Sequence, residues 1–180
     1  GPGLVRHGGE GRTSLGELDG QNTERLQQVA AAFRQAGIAV ELSRSVSSLI
    51  WGKLVVNAAI NPLTALLRVR NGQLLVRPGA REVMAAAALE VAAVAGGRGI
   101  PLPYDDPVGR VETVCRMTAS NRSSMLQDVE RGLQTEIDHI NGAVVREGDS
   151  VGVPTPVNRT LAALVRSLAP PPPGSPPPRR

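Results

Sequence analysis

Of the twenty Lys and Arg residues in this 180-residue chain, nineteen are Arg, and the single lysine, Lys53, stands in the run Trp51-Gly52-Lys53-Leu54. A guanidinium keeps its proton under all ordinary conditions, whereas an ammonium can surrender one, so a site that needs a proton donor does not accept Arg in its place. Lys53 is therefore the first candidate for chemistry; the plain alternative is a chain biased toward Arg that has kept one lysine by chance. Residues 47–59 are apolar and free of proline, which predicts a helix. At 3.6 residues per turn, positions four apart lie about 40° from each other, so Lys53, Asn57 and Asn61 share one face. Leu49, Ile50, Leu54, Val55 and Ile60 fall mostly off that stripe. An ammonium and two carboxamides on one line suit a carbonyl or carboxylate ligand. The alternative is a solvated face, although such faces usually mix in Glu and Arg. Pro62 disfavours helical geometry at Asn61, so the helix is expected to end or kink there and leave backbone groups free to bind.

Residues 51–66, WGKLVVNAAINPLTAL, together with Asn71-Gly72 and residues 123–158, SSMLQDVERGLQTEIDHINGAVVREGDSVGVPTPVN, resemble the C-terminal domain of the ketopantoate reductase (2-dehydropantoate 2-reductase) family. The similarity extends over residues 9–168. It implies a mainly α protein: an all-helical C-terminal domain of the 6-phosphogluconate-dehydrogenase C-terminal-like type over residues 43–168, preceded at residues 1–42 by a short α/β remnant of a Rossmann domain. It also implies NADPH-dependent reduction of a 2-oxo acid, ketopantoate or a similar substrate, in pantothenate biosynthesis, with this chain supplying the proton donor and the substrate-binding half. By resemblance Lys53 protonates the ketone oxygen as hydride arrives, Asn57, Asn61 and Asn71 bind substrate, Ser124 meets its carboxylate, and Glu136 stands on the substrate and cofactor-ribose side.

The residue types suit that chemistry in their own right. Hydride addition builds negative charge on the ketone oxygen, and a positioned ammonium stabilises the charge and then delivers the proton. A helix start near Ser123 or Ser124, capped by Asn121 or Ser123, would add free backbone N–H groups for an anion. Ser124 also reads simply as a cap or surface hydroxyl, and Glu136, at the start of an expected helix over residues 135–147, as a complement to the helix dipole.

The cofactor half of such a reductase needs a G-x-G-x-x-G turn between strand and helix, where glycines let the backbone approach the pyrophosphate, and no such motif occurs here. Gly96-Gly97-Arg98-Gly99 ends an Ala-rich helix instead of following a strand. Residues 1–42 read as the tail of the missing domain: Gly-rich paired strands at 7–18, an amphipathic helix at 23–36 with Thr23 as cap, and a short strand at 38–42. The alternative function is a non-catalytic helical interaction or dimerisation module derived from such an enzyme.

Composition agrees with a helical domain. Hydrophobic residues make up 41% of the chain, and only Phe33, Trp51 and Tyr104 are aromatic, so the core must be Leu, Val, Ile and Ala. Further helices are expected over residues 80–95, from Asp106-Pro107 to about residue 119, and from Thr155-Pro156 to residue 168. No apolar run approaches the roughly 20 residues of a membrane span, no signal peptide is visible, and the cytoplasm is the expected compartment. Arginines are dispersed without aromatic stacking platforms, which argues against nucleic acid as a partner. Residues 169–180, APPPPGSPPPRR, read as a polyproline tail, either solvated or in weak contact with an SH3 or WW domain. Glu136 and His139 have an E-x-x-H spacing, but no second pair accompanies them, so no metal is expected. Cys115, the only cysteine, excludes an intramolecular disulfide and reads as buried filler.

Overall fold

The computed structural model describes residues 13–168, together with residues 3, 4 and 11. The expected Pro-rich tail at 169–180 and part of the expected strand pair at 7–18 lie outside the described residues. Residues 1–49 and 50–180 form two compact units.

In the first unit, strand β1 (Thr13–Leu15) is followed by helix α1 (Glu24–Gln35) and strand β2 (Val40–Leu42). The strands pair in parallel, Thr13 opposite Val40 and Leu15 opposite Leu42. The two strands are joined through α1, the crossover connection that a parallel pair requires. Thr23 caps α1 as expected, its hydroxyl accepting from Leu26 N at 3.1 Å. The same hydroxyl donates to Glu17 Oε1 at 2.6 Å, and Arg25 pairs with Glu17 at 2.6 Å. The Thr23 hydroxyl first, and then Arg25, hold the Glu17 carboxyl below its ordinary range.

Among the described residues, every regular element after β2 is helical: α2 (Val46–Leu67), a 3-10 turn at Asn71–Leu74, α3 (Pro78–Gly97), α4 (Pro107–Met117), α5 (Ser124–Glu130), α6 (Asn141–Val151) and α7 (Pro156–Arg166). The unit boundary falls in the first turn of α2. In the second unit α3 packs against α4, α6 and α7, and α6 against α7. Ala87, Ala88 and Ala95 of α3 are fully buried, and their small side chains allow that close approach. Met84, Val91, Val55, Val111, Val144 and Val165 fill the space between, so the core is aliphatic as the composition requires.

Three expectations are corrected. Of the end or kink expected at Pro62, the end is excluded: α2 continues to Leu67 and stops where Arg68 takes the left-handed φ of 51°. Proline has no N–H and so leaves the Ala58 carbonyl without its helical donor. The buried Asn141 supplies one, its Nδ2 donating to Ala58 O at 2.9 Å. Residues 135–140 are not helical: the apolar spacing of Ile137, Ile140 and Val144 is that of a helix, but Ile140 at φ −103°, ψ −92° breaks the ladder and α6 begins at Asn141. Glu136 therefore lies in a turn and does not open a helix. Finally, α2 is long and apolar enough by length and composition to cross a membrane, contrary to the expectation of no such run; 56% of its apolar window is buried inside the protein.

The Asn141 carboxamide is one link in a buried polar chain. Its Nδ2 also donates to Asn158 Oδ1 at 2.9 Å. Asn158 Nδ2 donates in turn to Glu90 Oε2 at 2.7 Å and Ala87 O at 3.1 Å. The Glu90 carboxylate accepts the backbone N–H groups of Val157 and Asn158 at 2.8 and 2.9 Å, so a side chain of α3 caps α7, while Thr155 at the cap position makes no such bond.

Asn141→Ala should destabilise the protein by about 2 kcal/mol, the consequence of leaving a buried carbonyl unpaired. In a Pro62→Ala background an N–H returns to Ala58 O, and the same substitution should be less harmful by about 1 kcal/mol. Denaturant unfolding of the four proteins measures this coupling; strictly additive effects would show that Asn141 does not serve the orphaned carbonyl.

Candidate functional site

Helix α2 carries Lys53, Asn57 and Asn61 along one line that descends from the surface into the protein: Lys53 is exposed, Asn57 half-buried, and Asn61 only 8% exposed. Lys53 and Asn57 line a shallow cleft of about 380 Å³. Arg98 from the end of α3, His139, and Glu147 of α6 form its other polar wall, with Arg98 and Glu147 paired at 2.7 Å. Among the described residues Lys53 has no ion-pair or hydrogen-bond partner, so its ammonium is uncommitted.

Asn61 is held from below. Its carbonyl accepts the Thr64 hydroxyl at 2.9 Å, and Thr64 Oγ1 lies 2.7 Å from Ser123 Oγ, which itself accepts Leu126 N at 3.0 Å. With the Thr64 hydrogen committed to Asn61, Ser123 must donate to Thr64, which gives a directed chain from α5 into α2. Ser123 is thus the cap of α5, as expected, and Ser124, exposed, is the first residue of that helix. The carboxamide of Asn61 has no partner among the described residues.

Asn71 is buried at the start of the 3-10 turn. Its backbone N–H donates to Asn121 O at 3.1 Å and its Nδ2 to Thr118 Oγ1 at 2.9 Å. Asn61, Asn71 and Ser124 are therefore brought to one scaffold, the connection between α4 and α5 together with the start of α5. Glu136 is not: it is exposed, outside the Lys53 cleft, and its neighbours Thr135 and Ile137 line a different cavity of about 390 Å³. Sequence reasoning missed Arg98 and Glu147 as cleft residues and weighed His139 only as a metal ligand. Arg98 and Glu147 are far apart in the chain, and no local pattern links them.

Residues 45–169 match the family model described as ketopantoate reductase PanE/ApbA, C terminal. The chain belongs to this family. It is 45% identical over 166 residues to a 2-dehydropantoate 2-reductase of Archaeoglobus fulgidus, covering 92% of this chain and 55% of the relative. The crystal structure of a PanE/ApbA family ketopantoate reductase from Ralstonia eutropha JMP134 superposes with a TM-score of 0.84 at 39% identity, over 93% of this chain and 54% of that one. A complex of D-mandelate dehydrogenase with NADH gives a TM-score of 0.84 at 29% identity, over 93% and 58% of the two chains. The chain thus spans about half the length of the 2-dehydropantoate 2-reductases it matches. The mostly helical architecture is that of the ketopantoate reductase C-terminal domain.

Cys115 is fully buried, with Met84 Sδ 3.7 Å from its sulfur. Burial above all, and then the Glu112 carboxylate, push its thiol from an ordinary 9.0 up to about 11. It stays protonated and unreactive in the folded protein. A raised folded pKa means that its contribution to stability is complete below pH 9 and is lost as pH rises from 9 to 11. At pH 8 a disulfide reagent should label the chain only after denaturant is added, and Cys115→Ala should flatten the fall in unfolding midpoint across that alkaline window. Rapid labelling of the native protein would show that the thiol is accessible.

Proposed function

We propose that this chain is the substrate-binding, proton-donating part of a nicotinamide-dependent 2-oxo acid reductase acting on 2-dehydropantoate or a close analogue, in the cytoplasmic synthesis of pantothenate. The observation that carries this reading is Lys53: the one side-chain ammonium of the chain, at the open end of a stripe that continues through Asn57 to a buried Asn61, with neither the ammonium nor the Asn61 carboxamide partnered among the described residues. Family membership supports it, as does a related ternary structure of D-mandelate dehydrogenase with NADH and anilino(oxo)acetate, at 28% identity and a TM-score of 0.81.

In this reading the substrate lies against the Lys53 face of α2. Asn57, Asn61 and Asn71 hold its oxygen atoms, the Ser124 hydroxyl meets its carboxylate, and Glu136 acts from the substrate and ribose side. Lys53 donates a hydrogen bond to the ketone oxygen, draws charge onto it as reduction proceeds, and transfers its proton to that oxygen. Residues 43–168 form the substrate domain and residues 1–42 the end of a dinucleotide-binding domain; the assembled enzyme is a homodimer.

The hydride comes from NADPH, and among the described residues none forms its cradle. The glycines between β1 and α1 serve another purpose: a Cβ on Gly16 would come within 2.4 Å of Ser43 O, and one on Gly20 within 2.5 Å of Arg44 O. Their missing side chains admit the protein's own backbone, not a pyrophosphate. The connection from β2 to α2, Ser43-Arg44-Ser45, contains no glycine at all. Calorimetry with this chain alone should therefore show no tight NADPH binding, and micromolar or stronger affinity would overturn that assignment.

Joining this chain to the N-terminal half of the Archaeoglobus fulgidus relative should give an enzyme that reduces a 2-oxo acid with NADPH. Lys53→Ala should lower its turnover by roughly 10²-fold or more, the usual range for a lost general acid. Lys53→Arg keeps the charge but withholds the proton, so it should be nearly as inactive. Asn57→Ala and Asn61→Ala should act mainly on KM. Near wild-type turnover by Lys53→Arg would remove the catalytic role assigned to Lys53.

A further inference from the structure

The connection between α4 and α5 accepts three hydrogen bonds from the segment that carries Asn71: from Arg70 to Ser120 O, from Asn71 N to Asn121 O, and from Gly72 N to Ala119 O. The segment is pressed so close that a Cβ on Gly72 would sit 2.6 Å from that of Ala119. Asn71 thus has little freedom beyond a rotation of its carboxamide, and Thr118 removes that rotation. The Thr118 hydroxyl donates to Val114 O at 2.7 Å, which uses its only hydrogen. Toward Asn71 it can only accept, so Asn71 must turn its Nδ2 to Thr118, at 2.9 Å, and its Oδ1 away. That Oδ1 is buried and has no partner among the described residues. An acceptor shielded from bulk water and left without a donor is unfavourable, so Oδ1 calls for a hydrogen-bond donor, and the hydroxyl of a bound molecule can supply it.

We propose that Thr118 is a positioning residue that fixes the polarity of Asn71, so that the site offers an acceptor there and selects a ligand carrying a hydroxyl at that point. This rests on the reading of Asn71 as a substrate contact. The substrate class is a 2-oxo acid hydroxylated on its carbon chain, as against the same acid without the hydroxyl. Thr118 touches no substrate; it acts through Asn71.

The test compares 2-dehydropantoate with 3,3-dimethyl-2-oxobutanoate, which lacks only the hydroxyl, in the joined enzyme. Wild type should prefer the hydroxylated acid by about 10-fold or more in kcat/KM. Thr118→Val keeps the side chain's shape but frees the carboxamide to turn, and should bring the two acids to within about threefold of each other, chiefly through KM for the hydroxylated one. Thr118→Ser restores the acceptor and should restore the preference. Equal treatment of the two acids by wild type would mean that Oδ1 holds an ordered water only and would overturn the proposal. So would a Thr118→Val enzyme that keeps the preference, or a Thr118→Ser enzyme that loses it. If the joined enzyme reduces neither acid, the reading of the reaction fails separately, and NMR of this chain decides. The Asn71 amide protons should show contacts to Thr118, lost in Thr118→Val, and 2-dehydropantoate should perturb them more than its deoxy analogue does. Amide protons directed away from Thr118, or no difference between the two acids, would overturn the proposal whatever the activity.

Discussion

One carbonyl group, that of Ala58, organises much of the helical unit. Pro62 denies it the donor that helix geometry would provide, and an interior proline normally weakens a helix by ~3 kcal/mol. The loss is offset by a side chain 83 positions away, Asn141, which reaches α2 from the start of α6. Because Asn141 is buried it needs partners of its own, and these lead through Asn158 to Glu90, so that α2, α6, α7 and α3 are tied by consecutive hydrogen bonds instead of by apolar contact alone. Apolar burial is tolerant of sliding; a chain of directed donors and acceptors is not. Glu90 adds a second constraint by capping α7, which fixes where that helix begins against α3.

The candidate site is built on the same irregular turn. Asn61 lies between Ala58 and Thr64, so the stretch of α2 anchored by Asn141 on one side is anchored through Thr64 and Ser123 on the other. A carboxamide carried by a turn held from two directions is pre-set for a ligand, and little ordering remains to be done when one binds. Lys53, two turns earlier, is exposed and long, as suits a group that must follow charge as it moves onto oxygen.

What the chain discloses before folding is what depends on near neighbours. Thr23, Asp106 and Ser123 are legible as caps because each accepts from an N–H three residues ahead. The stripe of Lys53, Asn57 and Asn61 is legible because helix periodicity alone places them together. The failures involve partners far away in sequence. Pro62 reads as a helix end or kink, and the partner that lets α2 run on past it, Asn141, is remote in sequence; α7 is likewise capped by Glu90, more than sixty residues earlier. Arg98 and Glu147 meet Lys53 only through the packing of α3 and α6. Residues 135–140 mislead for a different reason: their apolar period is helical, but burying Ile137 and Ile140 needs only the spacing, which a turn also provides.

The exposure of Lys53 has a practical side. Arginine does not react with reductive-methylating reagents at neutral pH, so the ε-amine of Lys53 is the one side-chain amine in the protein that such reagents can convert. Its place on the cleft wall makes it a native reporter: a single isotope-labelled methyl group installed there would sense whatever enters the cleft, with no cysteine to engineer and no competing lysine to subtract.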